Sequence, residues 1–302
     1  MNRFRSLASR TKSLIAGRAQ TGDAAKFASG QILSRMNRQI ARPVSLRELE
    51  FRVFSQFSDD GIIDWLAEMV SLPFDSFVEF GVENYTESNT RFLLMNRNWV
   101  GLVLDGSSKN IDAIRKSDLY WKHSLHAEHA FVTRENINDL IRRHFPHSEI
   151  GLLHVDIDGN DYWVWDAIDV VRPAIAVIEY NAVFGGSRAI TVPYQADFVR
   201  QTAHHSRLYF GASLPALQRL AERKDYRFIG TNSNGNNAYF VSSDFMTPPL
   251  EALASTAGFV DSRFRESRDP DGRLTFRTGD ARRAEIAGLP VFNIETGELE
   301  PF

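Results

Sequence analysis

Residues 151–168 read GLLHVDIDGNDYWVWDAI. An unbroken apolar run gives way at Asp156 to three closely spaced acids, Asp156, Asp158 and Asp161. The chain then crosses Gly159 and resumes as an aromatic, helix-like segment carrying Trp165 and Ile168. A short apolar run that ends in polar residues and leads into a helix is one βα step of a sheet buried on both faces.

The same step recurs on either side. Strands are expected over 76–81 (SFVEFG), 99–107 (WVGLVLDGS), 129–133 (HAFVT), 150–158 (IGLLHVDID) and 173–181 (PAIAVIEYN). Helices are expected over 54–70, with Ser58 or Asp59 as cap, and over 87–96, 109–117, 134–145 and 212–226. The run YRFIGTNSNGNNAYFVSS (226–243) places two strand-like stretches around Asn234-Gly235, a hairpin signal. The expected fold is therefore α/β: a Rossmann-like, mostly parallel sheet with helices on both faces and a terminal antiparallel hairpin.

With 302 residues, 43% of them hydrophobic, the chain can bury a full core. Residues 1–45 form a basic, amphipathic arm, 46–245 the Rossmann-like domain, and 246–302 a polar extension to which no separate core is assigned. The arm concentrates charge: nine Lys and Arg against Asp23 alone within residues 1–44, or +8, which leaves −11 for the rest. Such an arm can lie on an anionic membrane surface, act as a targeting segment, bind a protein partner or stay a poorly ordered leader. The acidic remainder argues against nucleic acid as partner. There is no cysteine, which excludes disulfides, thiolate zinc sites and cysteine nucleophiles and fits a reducing, cytoplasmic setting. No apolar run is long enough to span a membrane, so any membrane contact is expected to be peripheral, at the inner surface.

In an open parallel sheet, ligands bind at the carboxyl ends of the strands. Those ends carry Glu79 and Gly81; Asp105, Gly106 and Ser107; Thr133; Asp156 and Asp158; and Glu179, Tyr180 and Asn181. Asp105 sits where a carboxylate can accept both hydroxyls of an adenosine ribose, or it simply caps the next helix. The first turn, EFGVENYTESNT, has one glycine, with Glu79, Glu83 and Glu87 nearby and Asn89 further along. Those acids would repel a pyrophosphate and suit a ligand with a positive centre and no phosphate, such as S-adenosylmethionine. Glu83 and Glu87 are also ordinary first-turn helix acids. Asp161 reads as a cap. Asp156 and Asp158 are expected to face the cleft, where with Glu179 and Asn181 they could hold a divalent cation, grip hydroxyls or act as a base. The metal set expected is Asp156, Asp158 and Glu179, for Mg²⁺ or another hard cation. A calcium loop does not fit, because its twelfth position is Ala167. Asn232 or Asn236, beyond being turn residues, could touch a substrate.

The order of elements resembles the class I S-adenosylmethionine-dependent methyltransferases. FVEFG stands where that class has its acid-glycine turn and LVLDGS where it has its ribose acid. HVDIDGNDYWVW is similar to the D-[VI]-E-G-x-E segment of FkbM-type members, with Asp156, Asp158, Gly159 and Asp161 in register. The wider run through IEYN, YFGASLPAL and NSNGNNAYFV looks like a bacterial, methyltransferase-like group. The resemblance covers residues 50–243 and departs in the first turn, where the class has two or three glycines and this chain places Glu83 and Tyr85. It implies methyl transfer to a hydroxyl of a sugar, glycan precursor or small natural product. Glu79, Gly81, Asn89, Asp105, Gly106, Ser107, Thr133 and Asp156 would hold the cofactor. Asp156, Asp158, Glu179 and Asn181 would act on the acceptor. The rival expectations are an enzyme using a nucleotide or nucleotide sugar, and a non-catalytic binding protein attached by its arm.

Overall fold

Successive side chains of a strand point to opposite faces, so a strand buried on both sides must be apolar at every position. The computed structural model, which describes residues 23–70, 72, 74–146 and 150–302, has five parallel strands, four of them buried at nearly every position and the third, at the sheet edge, only at alternate ones. They are β1 (Ser76–Phe80), β2 (Val100–Asp105), β3 (Leu125–His129), β4 (Leu152–Val155) and β5 (Ile175–Glu179). Two further strands, β7 (Tyr226–Thr231) and β8 (Asn237–Ser242), complete a seven-stranded sheet of order β3-β2-β1-β4-β5-β8-β7. β8 runs antiparallel to both β5 and β7, so the expected terminal hairpin enters the sheet with its second strand innermost.

One face of the sheet, including Phe77, Val103, Leu152, Val177 and Tyr239, packs on four helices. These are α2 (Asp59–Met69), α3 (Arg91–Arg97), α4 (Ser108–Arg115) and α10 (Pro248–Thr256). The other face, including Phe80, Leu104, Val155, Ile178 and Phe240, packs on α6 (Ile137–His144), α7 (Asp161–Ala167) and α9 (Leu214–Arg223). α5 (Asp118–Lys122) is a short surface turn before β3. The strand order reverses between β1 and β4, the place where such sheets bind ligands.

The third strand differs from expectation. It occupies residues 125–129, and Thr133 lies in the turn entering α6, its amide held by the Asn136 side chain at 2.9 Å. HAFVT is apolar enough to mimic a strand, but Leu125 and Ala127 are the residues that alternate into the core. The helix after the arm starts at Asp59. Ser58 stands at its cap with φ +75 and makes no capping bond. Residues 1–22, half of the basic arm, lie outside the described residues. The remainder is helical over 23–37, here α1, and is tied down: Ser34 Oγ donates to Asp64 at 2.7 Å and Asn37 donates to the Leu49 carbonyl at 2.7 Å. Ile32 and Met36 on this helix are more than half exposed.

Within the chain after β5, β6 (Ile190–Thr191) joins β9 (Pro290–Asn293) and β10 (Leu299–Pro301) in a small antiparallel sheet. α8 (Arg200–Ala203) follows β6 in the chain and α11 (Asp280–Glu285) precedes β9. Its cluster draws Phe184, Val192, Phe210 and others from residues 183–210 and only Ile286 and Val291 from the extension, with Leu289 and Phe302 packed alongside. The extension thus completes a core begun by the preceding segment.

The seam between β1 and β4 is the tightest part of the sheet's ligand edge. Gly81 has φ +74, and a Cβ there would overlap the Asp156 carbonyl. Gly81→Ala should therefore lower the unfolding free energy by about 3 kcal/mol or more, through left-handed strain plus steric overlap. A urea melt checks this; a loss under ~1 kcal/mol would mean that β1 and β4 do not press together there.

Candidate active site

The sheet's alternation places the site. On the face that carries Phe77, Val103, Leu152 and Val177, the next residue of the same parity at each carboxyl end is polar: Glu79, Asp105, His154 and Glu179. Asn237 lies directly across from Glu179 in β8, and α2 adds Asp59 from above. Together they border two adjoining clefts that share Gly81, Glu83, Asp156 and Asp158.

The smaller cleft, about 220 Å³, lies at the ends of β2 and β3. Leu104, Ala130, Phe131, Val132 and Phe198 give it apolar walls, and Asp105 and Gly106 form its polar edge. Asp105 is not the helix cap, a task that falls to Ser107, but it steadies the helix entry and lines the cleft. Its Oδ1 accepts from the Ser107 amide at 2.8 Å and from Asn110 Nδ2 at 3.0 Å, which secures the entry to α4, where Ser107 is the cap. Its Oδ2 accepts from the Glu83 amide at 2.8 Å, which ties the β1 turn to β2, and the residue still lines the cleft. Glu83 and Tyr85 both adopt left-handed backbone, φ +48 and +62. They hold, without glycine, a conformation that glycine takes at no steric cost.

The larger cleft, about 310 Å³, lies over β1, β4, β5 and β8 and is lined by eight carboxylates. Several of these are occupied. Glu79 accepts from Ser88 Oγ at 2.7 Å, from the amides of Asn89 and Thr90 at 3.0 and 3.2 Å, and from Thr90 Oγ1. His154 Nδ1 lies 3.2 Å from Glu79 Oε1, off the line of a good hydrogen bond, and Nε2 meets the Asn89 amide at 2.7 Å. Burial alone would raise the Glu79 pKa, but His154 and the Thr90 and Ser88 hydroxyls outweigh it and hold the carboxyl below its ordinary value. Burial likewise disfavours charge on His154, yet Glu79, Asp156 and Asp59 together lift its pKa. The pair is a buried carboxylate–imidazole contact at the floor of the cleft.

The three acids of residues 156–161 have three different tasks. Asp161 accepts from the Ile157 amide at 2.8 Å and the Gly159 amide at 2.9 Å, and so shapes the loop from the first turn of α7. Asp158, at φ +57, pairs with the Arg200 guanidinium, which stacks on Phe210. Asp156 faces the cleft beside Glu179. Burial first, then Asp158 and Asp161, push the Asp156 carboxyl up to about 7. Burial first, then Asp156, Asp158 and Asp161, push Glu179 well above the ordinary carboxylate range. Like charges recessed together retain protons unless a cation arrives.

Among the expected site residues, Glu79, Gly81, Asn89, Asp156, Asp158 and Glu179 line the larger cleft, and Asp105 and Gly106 the smaller. Ser107, Thr133 and Asn181 line neither. Asn181 is spent on backbone: its amide donates to the Leu208 and Phe210 carbonyls, and its oxygen accepts from Val183. Asn232 is likewise inside the hairpin turn, whereas Asn236 reaches the cleft. The carboxylate oxygens that lie within 4.8 Å of one another belong to Asp156, Asp161 and Glu179, with Asp161 in place of Asp158. Since Asp161 is held by two amides and Asp158 by Arg200, Asp156 and Glu179 are left facing each other, close enough to share a proton. Two carboxylates with water in the other positions fit Mg²⁺.

Asp59, His154, Arg200 and Asn237 also line the larger cleft and were not singled out from the sequence. His154 was readable, standing two residues before Asp156 in the same strand. The sequence around Asp59 marks it only as a helix cap. Nothing local marks Arg200.

Neither a protein-family model nor a curated protein matches the chain. Among solved structures it is similar to an S-adenosylmethionine-dependent methyltransferase from Clostridium acetobutylicum ATCC 824, at 10% identity, covering 61% of this chain and 90% of that one, TM-score 0.37. A second is the N-terminal domain of EvdMO1 in the presence of SAH and D-fucose, at 9% identity, with coverage of 55% and 73% and TM-score 0.34. A third is geranyl diphosphate methyltransferase in complex with GPP and sinefungin, at 12% identity, with coverage of 75% and 93% and TM-score 0.35.

The acid cluster sets a pH dependence. A carboxyl whose pKa is higher in the folded chain binds its proton more tightly there. It favours the fold below its unfolded value near 3.8, and that contribution is lost as pH climbs through its folded value near 7. Asp156→Asn should thus raise the melting temperature at pH 8 by several degrees, for about 1–3 kcal/mol, and change it little at pH 4. Scanning calorimetry at the two pH values checks this. An equal shift at both would mean that Asp156 ionises normally.

Proposed function

We propose that the protein is an S-adenosylmethionine-dependent methyltransferase acting on a hydroxyl of a sugar, glycan precursor or small natural product. The observation that carries this reading is the pairing of the two clefts. An apolar-walled pocket with Asp105 at its edge suits an uncharged nucleoside, and it opens at Gly81 into an acidic cleft that suits a cation. The basic side chains lining the two clefts, among the described residues, are His154 and Arg200, and both face carboxylates. A pyrophosphate would find repulsion there, which disfavours the nucleotide-using alternative.

The cofactor supplies a methyl group on a sulfonium, already a good electrophile. Asp105, Gly81 and the turn through Glu83 would hold its nucleoside, with Phe131 and Phe198 against the base. Asp156 and Glu179 would orient the acceptor hydroxyl at the β4–β5 edge. In methyl transfer to that hydroxyl, Asp156 would take up the proton that the acceptor oxygen gives up. A base with a pKa near 7 is matched to that task at neutral pH. Where a divalent cation assists, Asp156 and Glu179 would hold it.

The alternative of a binding protein attached by its arm draws support from Ile32, Leu33 and Met36, which stand exposed on α1 beside Arg35. No helix among the described residues is long and apolar enough to cross a membrane, so such attachment would be peripheral.

Calorimetric titration with S-adenosylhomocysteine, with and without Mg²⁺, tests the reading. Binding with a Kd on the order of micromolar is expected, at least about tenfold weaker in Asp105→Ala, a loss of ~1.4 kcal/mol. Absence of binding under both conditions would overturn it.

A further inference from the structure

The cleft runs along the sheet edge from the nucleoside pocket at β2, past Gly81 and Asp156, to a far end built by β5, β8 and the start of α2. That far end is richer in acceptors than in donors, the Asn236 amide being the donor nearest to hand. Asp59 is almost wholly buried, and its Oδ1 is saturated: it accepts from Asn232 Nδ2 at 2.9 Å, from Asn237 Nδ2 at 3.0 Å and from the Tyr239 hydroxyl. Its Oδ2 has no partner, and neither do Asn237 Oδ1 and Glu179 Oε2. All three side chains are more than nine-tenths buried, and all three line the cleft. Glu179 and Asn237 are opposite one another in the β5–β8 ladder, so their side chains share a face and stand side by side.

Buried acceptors without donors are costly, by about 1–3 kcal/mol each. Arg200 and His154 are engaged elsewhere, so relief comes from water or from a ligand. A neutral hydroxyl brings one donor and no charge. An ammonium brings three donors and the positive charge that a recessed carboxylate needs. We propose that the Asp59–Asn237–Glu179 end of the cleft binds an ammonium group of the acceptor, so that the substrate is an amino-bearing polyhydroxylated molecule such as an amino sugar. This rests on the far end being the acceptor side of a methyltransferase cleft, because the adenosine pocket lies at the opposite end.

The probe is D-glucosamine at a pH where its amine is protonated, with D-glucose and N-acetyl-D-glucosamine as neutral counterparts. Each is titrated by ligand-observed NMR into the full chain, with and without S-adenosylhomocysteine. Glucosamine should bind at least about tenfold more tightly than either. Glu179→Gln and, separately, Asp59→Asn should erase the preference in protein whose circular dichroism is unchanged; both variants keep the shape and remove the charge. Equal or undetectable binding of the three sugars overturns the proposal, as does a preference that survives both substitutions. So does Mg²⁺ binding that excludes glucosamine. If S-adenosylhomocysteine binds and the amine preference is missing, the ammonium site alone falls. If the preference is present without S-adenosylhomocysteine binding, the methyltransferase reading falls and the ammonium site stands.

Discussion

The closeness of β1 to β4 governs the site. These strands flank the point where the sheet's order reverses, and Gly81 lets the chain leaving β1 pass against the Asp156 carbonyl. Because the turn is held there, the Glu83 amide reaches Asp105 on one side and Glu79 meets His154 on the other. Both clefts open from this seam. A side chain at residue 81 would part the strands and separate the acids that the two clefts share.

The acids are numerous, but most are structural. Asp60 illustrates how: one oxygen gathers the amides of Val53, Phe54 and Ser55 and the Ser55 hydroxyl, fixing the loop before α2, while burial still pushes its pKa up to about 6. Glu79 does the same for residues 88–90, and Asp161 for 157–159. These carboxylates replace glycine-rich or proline-rich turns with hydrogen-bonded ones. What remains uncommitted, Asp156, Glu179 and one oxygen of Asp59, lies along one stretch of the cleft.

Much of the sheet was legible because burial on both faces forces continuous apolar runs, and four of the five parallel strands lie within the segments expected. β3 was not, since Phe131 and Val132 are apolar for a different reason: they wall the smaller cleft just past the strand. The acidic strand ends were legible from composition and position alone. Their division of labour was not. Whether Asp158 or Asp161 sits with Glu179 depends on where Arg200 arrives, and Arg200 comes from a segment more than forty residues away. Asn181 has the right position in sequence for a site residue, yet its amide satisfies backbone carbonyls of residues 208 and 210, a demand visible only once those residues are placed.

The far wall of the larger cleft includes Gln56 and Phe57 from before α2 and Glu266 from the extension, and Phe57 stacks on Phe264 with ring centroids 6.0 Å apart. The two sides of that wall are therefore made at very different moments of synthesis. At ribosomal rates of about 5–20 residues per second, on the order of ten to forty seconds separate them. Throughout that interval the acids over β4 and β5 have an open side to water. That side of the cleft is completed only when the extension brings Glu266 and Phe264 against Phe57, so one wall of the site is made long after the strands that carry its acids.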